Sequence, residues 1–588
     1  MPNALLVYPK FPPSYWGAQY ALEFIGKKSA MPPLGLLTVA GMFPANYQLK
    51  VVDMNVDPLT EEHLEWADMV FTSTMIVQKD SLRDVIERAR RAKVPVIAGG
   101  PHPTTFYEEI EGVDHFVLDE VEHTFGEFLQ DFENGRAQKI YRSPAKPSIK
   151  DAPPPRYDLI DIHAYGSMAL QFSRGCPFDC EFCDITKLFG RVPRTKSAEQ
   201  ILAEFDVLYN LGWRGRMFLV DDNFIGNKRD ALHVLPEIAR WQKARNYPFS
   251  LYTEASVNLS GLDDLLDAMV DAGFTMAFLG IETPNRKALL KTKKAQNTHR
   301  HDDNFLLNAV RKIQEKGLEV TAGFILGLDS DGEEAFDAQI EFIQQAGIPT
   351  AMVGLLSALK GTDLYKRLQN EGRLLEESSG NNVSVSLNFR TEMDHEVLIQ
   401  GYKRVLSTLY DPSLKNYFDR CWTMLRRVKS RSRCHAKIGK AEWMALAKSL
   451  KRQLLSRQGP AYLKFLAKVL KEKPKAFSDA VRLAILGYHF EKTTSQQIAV
   501  DDFKRYLEAE FEFFKQVVSR IATSEMQRIA EIQNSVRALL YRVHLKYDQI
   551  HEDFRYCLAD ALDSFKRSVE SQIEELSAGS RLKFPTTD

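Results

Sequence analysis

The chain has 588 residues, with 77 Lys and Arg against 78 Asp and Glu and a hydrophobic fraction of 44%. That length requires several domains, since single cores rarely grow past about 250–300 residues, and the charge balance removes any whole-chain case for nucleic-acid binding. Six Cys, three of them in one loop, do not make a secreted disulfide framework, and no stretch approaches the ~18 uncharged apolar residues of a membrane span.

In chain order, Met1-Pro2-Asn3-Ala4-Leu5 lacks the basic region and long apolar run of a signal peptide, so a reducing, cytoplasmic compartment is expected. Short apolar runs follow at 4–8, 49–53, 69–72, 94–98 and 115–118, with helical patterns between them, one at 34–42. This alternation predicts a doubly wound, Rossmann-like parallel sheet over residues 1–142. Ligands of such sheets lie at the carboxyl ends of the strands, where Ser73-Thr74-Met75 and Gly99-Gly100-Pro101-His102 stand. Paired glycines let backbone approach a ligand closely, although a Gly-Gly pair alone is also an ordinary tight turn. Residues 143–160 read as an extended linker, with five prolines between Ser143 and Pro155.

Next comes Arg174-Gly175-Cys176-Pro177-Phe178-Asp179-Cys180-Glu181-Phe182-Cys183. Clustered Cys in an intracellular protein reads as metal binding before disulfide. Structural zinc wants four closed ligands, and here the local count stops at three. An iron–sulfur cubane on three thiolates leaves one iron open; a zinc-binding or chance cluster is the alternative. The pattern C-x3-C-x2-C, with Phe182 before the last Cys, resembles the signature of the radical S-adenosylmethionine (SAM) superfamily. The resemblance implies a 4Fe-4S cluster on Cys176, Cys180 and Cys183, with Phe182 among the SAM-binding residues. The open iron would chelate SAM, an electron from an external flavodoxin- or ferredoxin-type donor would cleave it, and the resulting adenosyl radical would take hydrogen from unactivated carbon.

Six further apolar runs, at 169–172, 217–220, 250–253, 276–280, 320–326 and 351–356, alternate with helical patterns. They predict a partial (βα)6 barrel over 161–370 with its working loops at the strand C-termini. Asp221-Asp222-Asn223 follows the second run; a carboxylate there could hold the SAM ammonium by a charge-assisted bond, or cap a helix. Resemblance places Glu254 and Glu282 toward the ribose or methionine part of SAM, the alternative being buried, structurally paired carboxylates. Gly323-Phe324-Ile325-Leu326-Gly327 resembles the superfamily's G-x-I-x-G segment, which implies Gly323 and Ile325 at the adenine. Lys360-Gly361-Thr362 looks like the usual Pro-Gly-Thr turn with Lys for Pro. Arg191 and Arg194 could face the SAM carboxylate or an anionic substrate group, or lie on the surface.

Joined to such a core, the first domain resembles the cobalamin-binding domain of cobalamin-dependent radical SAM enzymes. This implies cobalamin against Asn55, Ser73, Thr74, Met75, Gly99, Gly100, Pro101, His102 and Glu120. Two departures stand out. Many such domains carry Asp-x-His-x-x-Gly, with the His on cobalt; here Asn55 and Pro58 replace the His and Gly of Asp53-Met54-Asn55-Val56-Asp57-Pro58, so no histidine axial ligand is expected. The usual Gly-Glu-Gly-Glu reads Asp119-Glu120-Val121-Glu122.

From 371 to 588 helical periodicity takes over, as at 503–522 and 532–545, and a helical domain packed against the barrel mouth is expected. Cys421, Cys434 and Cys557 lack cluster spacing. Residues 426–457 hold many Lys and Arg and one acid, Glu442; they could lie against an anionic membrane face, at about 1 kcal/mol per basic residue, or form a solvated basic helix.

Met31-Pro32-Pro33-Leu34-Gly35, Trp66-Ala67-Asp68, Thr253-Glu254-Ala255-Ser256 and Gly487-Tyr488-His489-Phe490 further resemble the subgroup that includes the hopanoid C-2 methylase. The resemblance implies methylation of an unactivated sp3 carbon, of a lipid or isoprenoid such as a hopanoid, with methylcobalamin delivering the methyl and a second SAM renewing it. The substrate cavity is expected where the two α/β domains meet, closed by the helical region. Radical carbon–carbon bond formation or cyclisation without methyl transfer is one alternative; a non-catalytic iron–sulfur protein that binds SAM is another.

Overall fold

The computed structural model describes residues 1–381, 385–429, 440–520 and 525–577; the expected feature at Cys434 and part of the basic stretch 426–457 lie outside them. The first sheet contains β1 (Asn3–Tyr8), β2 (Gln48–Asp53), β3 (Met69–Ser73), β4 (Val96–Gly99), β5 (His115–Leu118) and β6 (Ile140–Arg142). Its order is β2-β1-β3-β4-β5-β6, parallel throughout. In β1 the residues Ala4 to Val7 are all fully buried, because helices cover both faces and the strand must be apolar on both. The sequence reading found five of these strands; β6 is three residues long, too short to show a period.

Beyond the linker come β7 (Met168–Leu170), β8 (Ser173–Arg174), β9 (Arg194–Thr195), β10 (Gly215–Leu219), β11 (Phe249–Ala255), β12 (Phe274–Glu282), β13 (Glu319–Leu326) and β14 (Ala351–Leu355). Six of them form the second sheet, β14-β13-β12-β11-β10-β7, while β8 and β9 pair with each other. All five pairings in this sheet are parallel, so β7 and β14 are the edges of an open barrel.

Residues 14–30 run between those edges. Gly166 and Ser167, just ahead of β7, donate backbone N–H to the carbonyls of Ser29 and Ala30 at 2.9 Å. Tyr15 lies against Tyr410 (6.1 Å) and Phe490 (5.5 Å), and the Tyr410 hydroxyl bonds both the N–H and the carbonyl of Ala351 at the head of β14. The neighbouring Trp16 ring sits 5.0 Å from Phe278 of β12.

Within the first unit, Arg420, Arg427 and Arg482 reach the N-terminal ends of the strands, whereas the sequence leads one to expect the helical region at the mouth. Arg482 pairs with Glu319, the first residue of β13. Arg427 donates to the carbonyls of Gln345 and Ala346 at the end of helix Glu334–Ala346, where a cation also complements the helix dipole. Arg420 is 1% exposed; its guanidinium donates to the carbonyls of Ile348 (2.9 Å), Leu409 (3.1 Å) and Pro349 (3.3 Å) and to Gln344 Oε1 (2.8 Å). Helical periodicity says that one face is buried, but not what buries it.

Two compact units divide the chain, Met1–Glu491 and Lys492–Asp588. The first holds both sheets and residues 371–491. In the second, Arg542 pairs with Glu510 at 2.6 Å and Phe503 meets Tyr547 at 6.0 Å. Among the described residues, no helix is long and apolar enough to cross a membrane.

Replacing Arg420 by Ala strands three buried carbonyls and is expected to destabilise the first unit by about 3 kcal/mol, at roughly 1 kcal/mol for each lost partner. The urea midpoint should drop, and Arg420→Lys should not restore it because an ammonium cannot span the fork of acceptors. An unchanged midpoint would show that the carbonyls find other donors.

Candidate active site at the barrel mouth

Burial along the barrel strands alternates: β11 reads buried, half-buried, buried through all seven residues. The buried positions face the outer helices. Tyr252, Glu254, Met276, Phe278, Ile325 and Met352 face inward and keep partial exposure, so the upper barrel is hollow. Lower down, the Phe218 and Tyr252 rings stack at 4.8 Å, with the Arg216 guanidinium 4.8 Å from the Tyr252 ring.

The three-cysteine loop leaves β8 at the top of this lumen. Gly175 takes φ +94, and a Cβ there would meet the Gly190 carbonyl at 2.9 Å, so the turn into Cys176 requires glycine. The Cys176 N–H donates to the Gly190 carbonyl at 3.2 Å and the Cys183 N–H to Cys180 O at 3.1 Å. The Asn223 amide approaches Cys176 Sγ at 3.8 Å, and Gln296 donates to Cys180 Sγ at 3.5 Å. Burial pushes the Cys176 thiol up, and the Cys183 thiol up to about 12, against the lowering influence of Lys294. No three His, Cys, Asp or Glu among the described residues gather closely enough to hold a single metal ion. Three thiols on one loop, with amide N–H donors on two sulfurs, suit the corners of a multi-iron cluster, whose potential such hydrogen bonds tune.

The acids beside the loop divide into braces and free carboxylates. Asp221 is a brace: it accepts from the Phe172 N–H and the Ser173 hydroxyl, both at 2.8 Å. Asp222 accepts from the Gly175 N–H at 2.7 Å. Asn223 bonds Ser256. None of these three caps the next helix, whose N-cap is Asn227. Glu254 faces the lumen, and its carboxylate has no hydrogen-bond partner among the described residues. Burial first, then Asp222, Asp221 and Glu282, push Glu254 up to about 8; burial likewise raises Asp221 to about 7 and Asp222 to about 6. Glu282 holds Lys294 at 2.5 Å and takes φ +67, strained for a residue with a Cβ. The bulge at Gly280/Glu282 is held by Asn297, which donates to the Gly280 and Ile281 carbonyls, and by Gln339, which donates to that of Glu282. Carboxylates that outnumber the nearby cations in low dielectric make a site that gains from a bound positive charge, which the ammonium and sulfonium of SAM supply. Gly323 and Ile325 face the same lumen, and Phe182 lies 5.7 Å from the Lys294 ammonium.

At the carboxyl edge of the first sheet, Phe71, Thr72, Ser73, Ile97, Gly99 and Gly100 line one side of a cavity of about 150 Å³. Gly100 has φ +93, and a Cβ on it would meet Ser73 Oγ and the Thr74 N–H at 2.8 Å. Thr72 Oγ1, Thr74 Oγ1, Thr124 Oγ1 and His102 Nδ1 are buried with no hydrogen-bond partner among the described residues, and burial pushes His102 down to about 4. Met75 is half exposed beside them. Bare backbone, apolar walls and orphaned polar atoms fit one arm of a cobalamin. Asn55 is engaged elsewhere: it donates to Asp53 Oδ1 at 2.7 Å and accepts from the Phe11 N–H at 2.8 Å.

Glu120 lines the same cavity and carries ion pairs as well. Its carboxylate, 2% exposed, pairs with Arg174 at 3.0 Å and Arg194 at 2.8 Å, and Glu122 pairs with Arg174 at 2.6 Å. Arg194 therefore joins the first sheet to the cysteine loop, while Arg191 remains mostly exposed near Asp179. Lys360, in the departed Pro-Gly-Thr turn, pairs with Glu109 of the first domain at 2.5 Å. On the far side of the loop Glu181 holds Arg367 at 2.6 Å, which holds Asp329 at 2.8 Å. The sequence reading missed Lys294, Arg367, Asp329 and Trp16; none sits in a spaced motif.

The radical SAM superfamily matches residues 170–343, the B12 binding domain residues 27–129, and a domain of unknown function (DUF4070) residues 362–501. An uncharacterised methyltransferase of Synechocystis sp. is 44% identical over 74% of this chain and 79% of its own. The hopanoid C-2 methylase of Rhodopseudomonas palustris is 34% identical over 70% of this chain and 78% of its own. Among solved structures, the cobalamin-dependent S-adenosylmethionine radical enzyme OxsB with aqua-cobalamin bound has the same fold, with TM-score 0.55 and 13% identity over 92% of this chain and 84% of that one.

Two outcomes follow from the charges. Glu120→Gln leaves Arg174 and Arg194 short of a carboxylate, at a cost of about 3 kcal/mol; amide exchange across 173–196 should speed up while bound iron is retained, and unchanged exchange would show that Glu122 suffices. Glu254, Asp221 and Asp222 bind protons more tightly folded than unfolded, so their contribution to stability is present at low pH and lost as pH rises through the folded values. In cofactor-free protein, Glu254→Gln should therefore raise Tm over wild type near about pH 8 and much less near about pH 5. A gain independent of pH would mean that Glu254 does not titrate in this range.

Proposed function

The chain belongs to the cobalamin-dependent radical SAM methyltransferases, in the subgroup that includes the hopanoid C-2 methylase, and from that premise we propose that it methylates an unactivated sp3 carbon of a lipid of isoprenoid type, such as a hopanoid. The observation that carries the substrate class is the lumen wall, where Trp16, Tyr252, Met276, Phe278 and Met352 offer an apolar and aromatic surface. Such a wall suits a ring hydrocarbon and gives a strongly polar substrate few partners.

When bound, the 4Fe-4S cluster and SAM supply a carbon radical able to take hydrogen from such a carbon, and cobalamin supplies the methyl group. The protein's own part is to hold and to exclude. Cys176, Cys180 and Cys183 would hold the cluster, with Asn223 and Gln296 directed at two of the sulfurs. Glu254, with Asp222 and Glu282 near it, would meet the positive charges of SAM. Thr72, Thr74 and the Gly99–Gly100 backbone would receive the cobalamin. The segment 14–30 and the helices beneath the strands close the lumen on two sides, which keeps water from the reacting carbon. The electron comes from a flavodoxin- or ferredoxin-type donor. The protein works in the cytoplasm and meets its lipid at the membrane surface.

The test is to supply extracted isoprenoid lipid, SAM and a reductant anaerobically, and to weigh the products. S-adenosylhomocysteine, deoxyadenosine and a lipid heavier by one methylene are expected together; deoxyadenosine alone, with the lipid joined or cyclised, would overturn methyl transfer. Cys180→Ala is expected to lose iron and all SAM cleavage while cobalamin content stays near wild type. Loss of cobalamin as well would show that the two sites do not form independently.

A further inference from the structure

We propose that the helical hairpin spanning residues 440–475 is a docking surface for an anionic lipid bilayer, an inference that rests on the lipid substrate read above. The segment carries ten Lys and Arg against two acids, Glu442 and Glu472. Helix Lys440–Leu454 buries Ala445, Ser449 and Gln453. It is fixed on helix Gln19–Ile25 by Lys448, which donates to the Glu23 carbonyl, and by Arg452, which pairs with the Glu23 carboxylate at 2.7 Å. Helix Gly459–Glu472 buries Tyr462, Phe465, Leu466 and Val469, with Phe465 stacked on Phe418 at 5.0 Å. One side of each helix is therefore used.

The sides left over combine two kinds of residue. Trp443 is 61% exposed, Met444 50%, Leu455 87%, and Leu463 and Leu470 52% each. Lys451, Lys464 and Lys471 stand among them, exposed and without an ion-pair partner among the described residues. A basic face that is merely solvated has no reason to show a Trp and three Leu, and a patch for an apolar protein partner has no reason to ring them with free lysines. An anionic bilayer satisfies both, since lysines meet the headgroups while the apolar side chains enter the boundary beneath. Since no described helix is apolar enough to cross a membrane, the contact lies along the surface.

Flotation of the full-length protein with phosphatidylcholine vesicles, against phosphatidylcholine mixed with phosphatidylglycerol, tests this without substrate or cofactor. Binding to the mixed vesicles alone is expected, weakening with salt. The triple variant Lys451→Gln, Lys464→Gln, Lys471→Gln should lower the partition coefficient about 100-fold, equivalent to about 1 kcal/mol for each lysine. Leu455→Ser with Leu463→Ser and Leu470→Ser should weaken binding at high salt as well. No binding to mixed vesicles, equal binding to neutral ones, or binding that neither variant alters would overturn the surface. A dimer in solution abolished by the leucine variant, with no vesicle binding, would assign the face to a second copy and overturn it too. Vesicle binding by a protein that fails to methylate any lipid would support the surface while sinking the substrate reading, so the two fail separately.

Discussion

Three thiols can hold a four-iron group with one iron left open only on a loop that can neither collapse nor lend a fourth ligand. The bonds around residues 173–183 hold such a loop in place. Gly175 admits the turn, Asp222 takes its N–H, and Gly190 takes that of Cys176. Arg174, immediately before the turn, is fixed to the first sheet through Glu120 and Glu122, and Glu181 is fixed to the far side of the barrel through Arg367. The loop is thus suspended between two α/β layers, and its place beside the first sheet is set by the ion pairs of Arg174 with Glu120 and Glu122. Such pairs contribute little net stability, but they are costly to break singly, which suits a joint that must hold a position.

The mouth is electrostatically unfinished without its ligands. Asp221, Asp222, Glu254 and Glu282 share a low-dielectric region with Lys294, and burial raises the first three toward neutrality. Asp221 accepts from the Phe172 N–H and the Ser173 hydroxyl, and Asp222 accepts from the Gly175 N–H, whereas the Glu254 carboxylate has no such bond among the described residues. The left-handed backbone at Glu282, braced by Asn297 and Gln339, is a strained element kept where strain turns a carboxylate toward the loop.

What the sequence made legible was local. The C-x3-C-x2-C spacing, the apolar strand runs and the glycines at strand ends carry their meaning within a few residues, and the sheet order and cysteine loop follow from them. What it hid depends on distant partners. Asp221 reads as a ligand or a cap until its bonds to Phe172 and Ser173 are seen. Glu120 reads as the remnant of a cobalamin motif, and nothing near it in the chain announces its pairing with Arg174 and Arg194. The Lys360 that breaks a Pro-Gly-Thr turn becomes intelligible only with Glu109 opposite. The C-terminal helices show an apolar period, yet a period cannot tell which surface each helix packs against.

That last distinction shapes the chemistry. A radical that abstracts hydrogen from unactivated carbon has no intrinsic preference for its intended target, so selectivity falls to what else can reach it. Within the first unit, Arg420 and Arg482 bond at the N-terminal ends of the strands, and residues 14–30 lie between β7 and β14. The end that carries the cysteine loop is the one bonded to the first sheet, through Arg174 and Lys360. For a radical that abstracts hydrogen, exclusion then falls to the residues at that end and to the fit of whatever binds there.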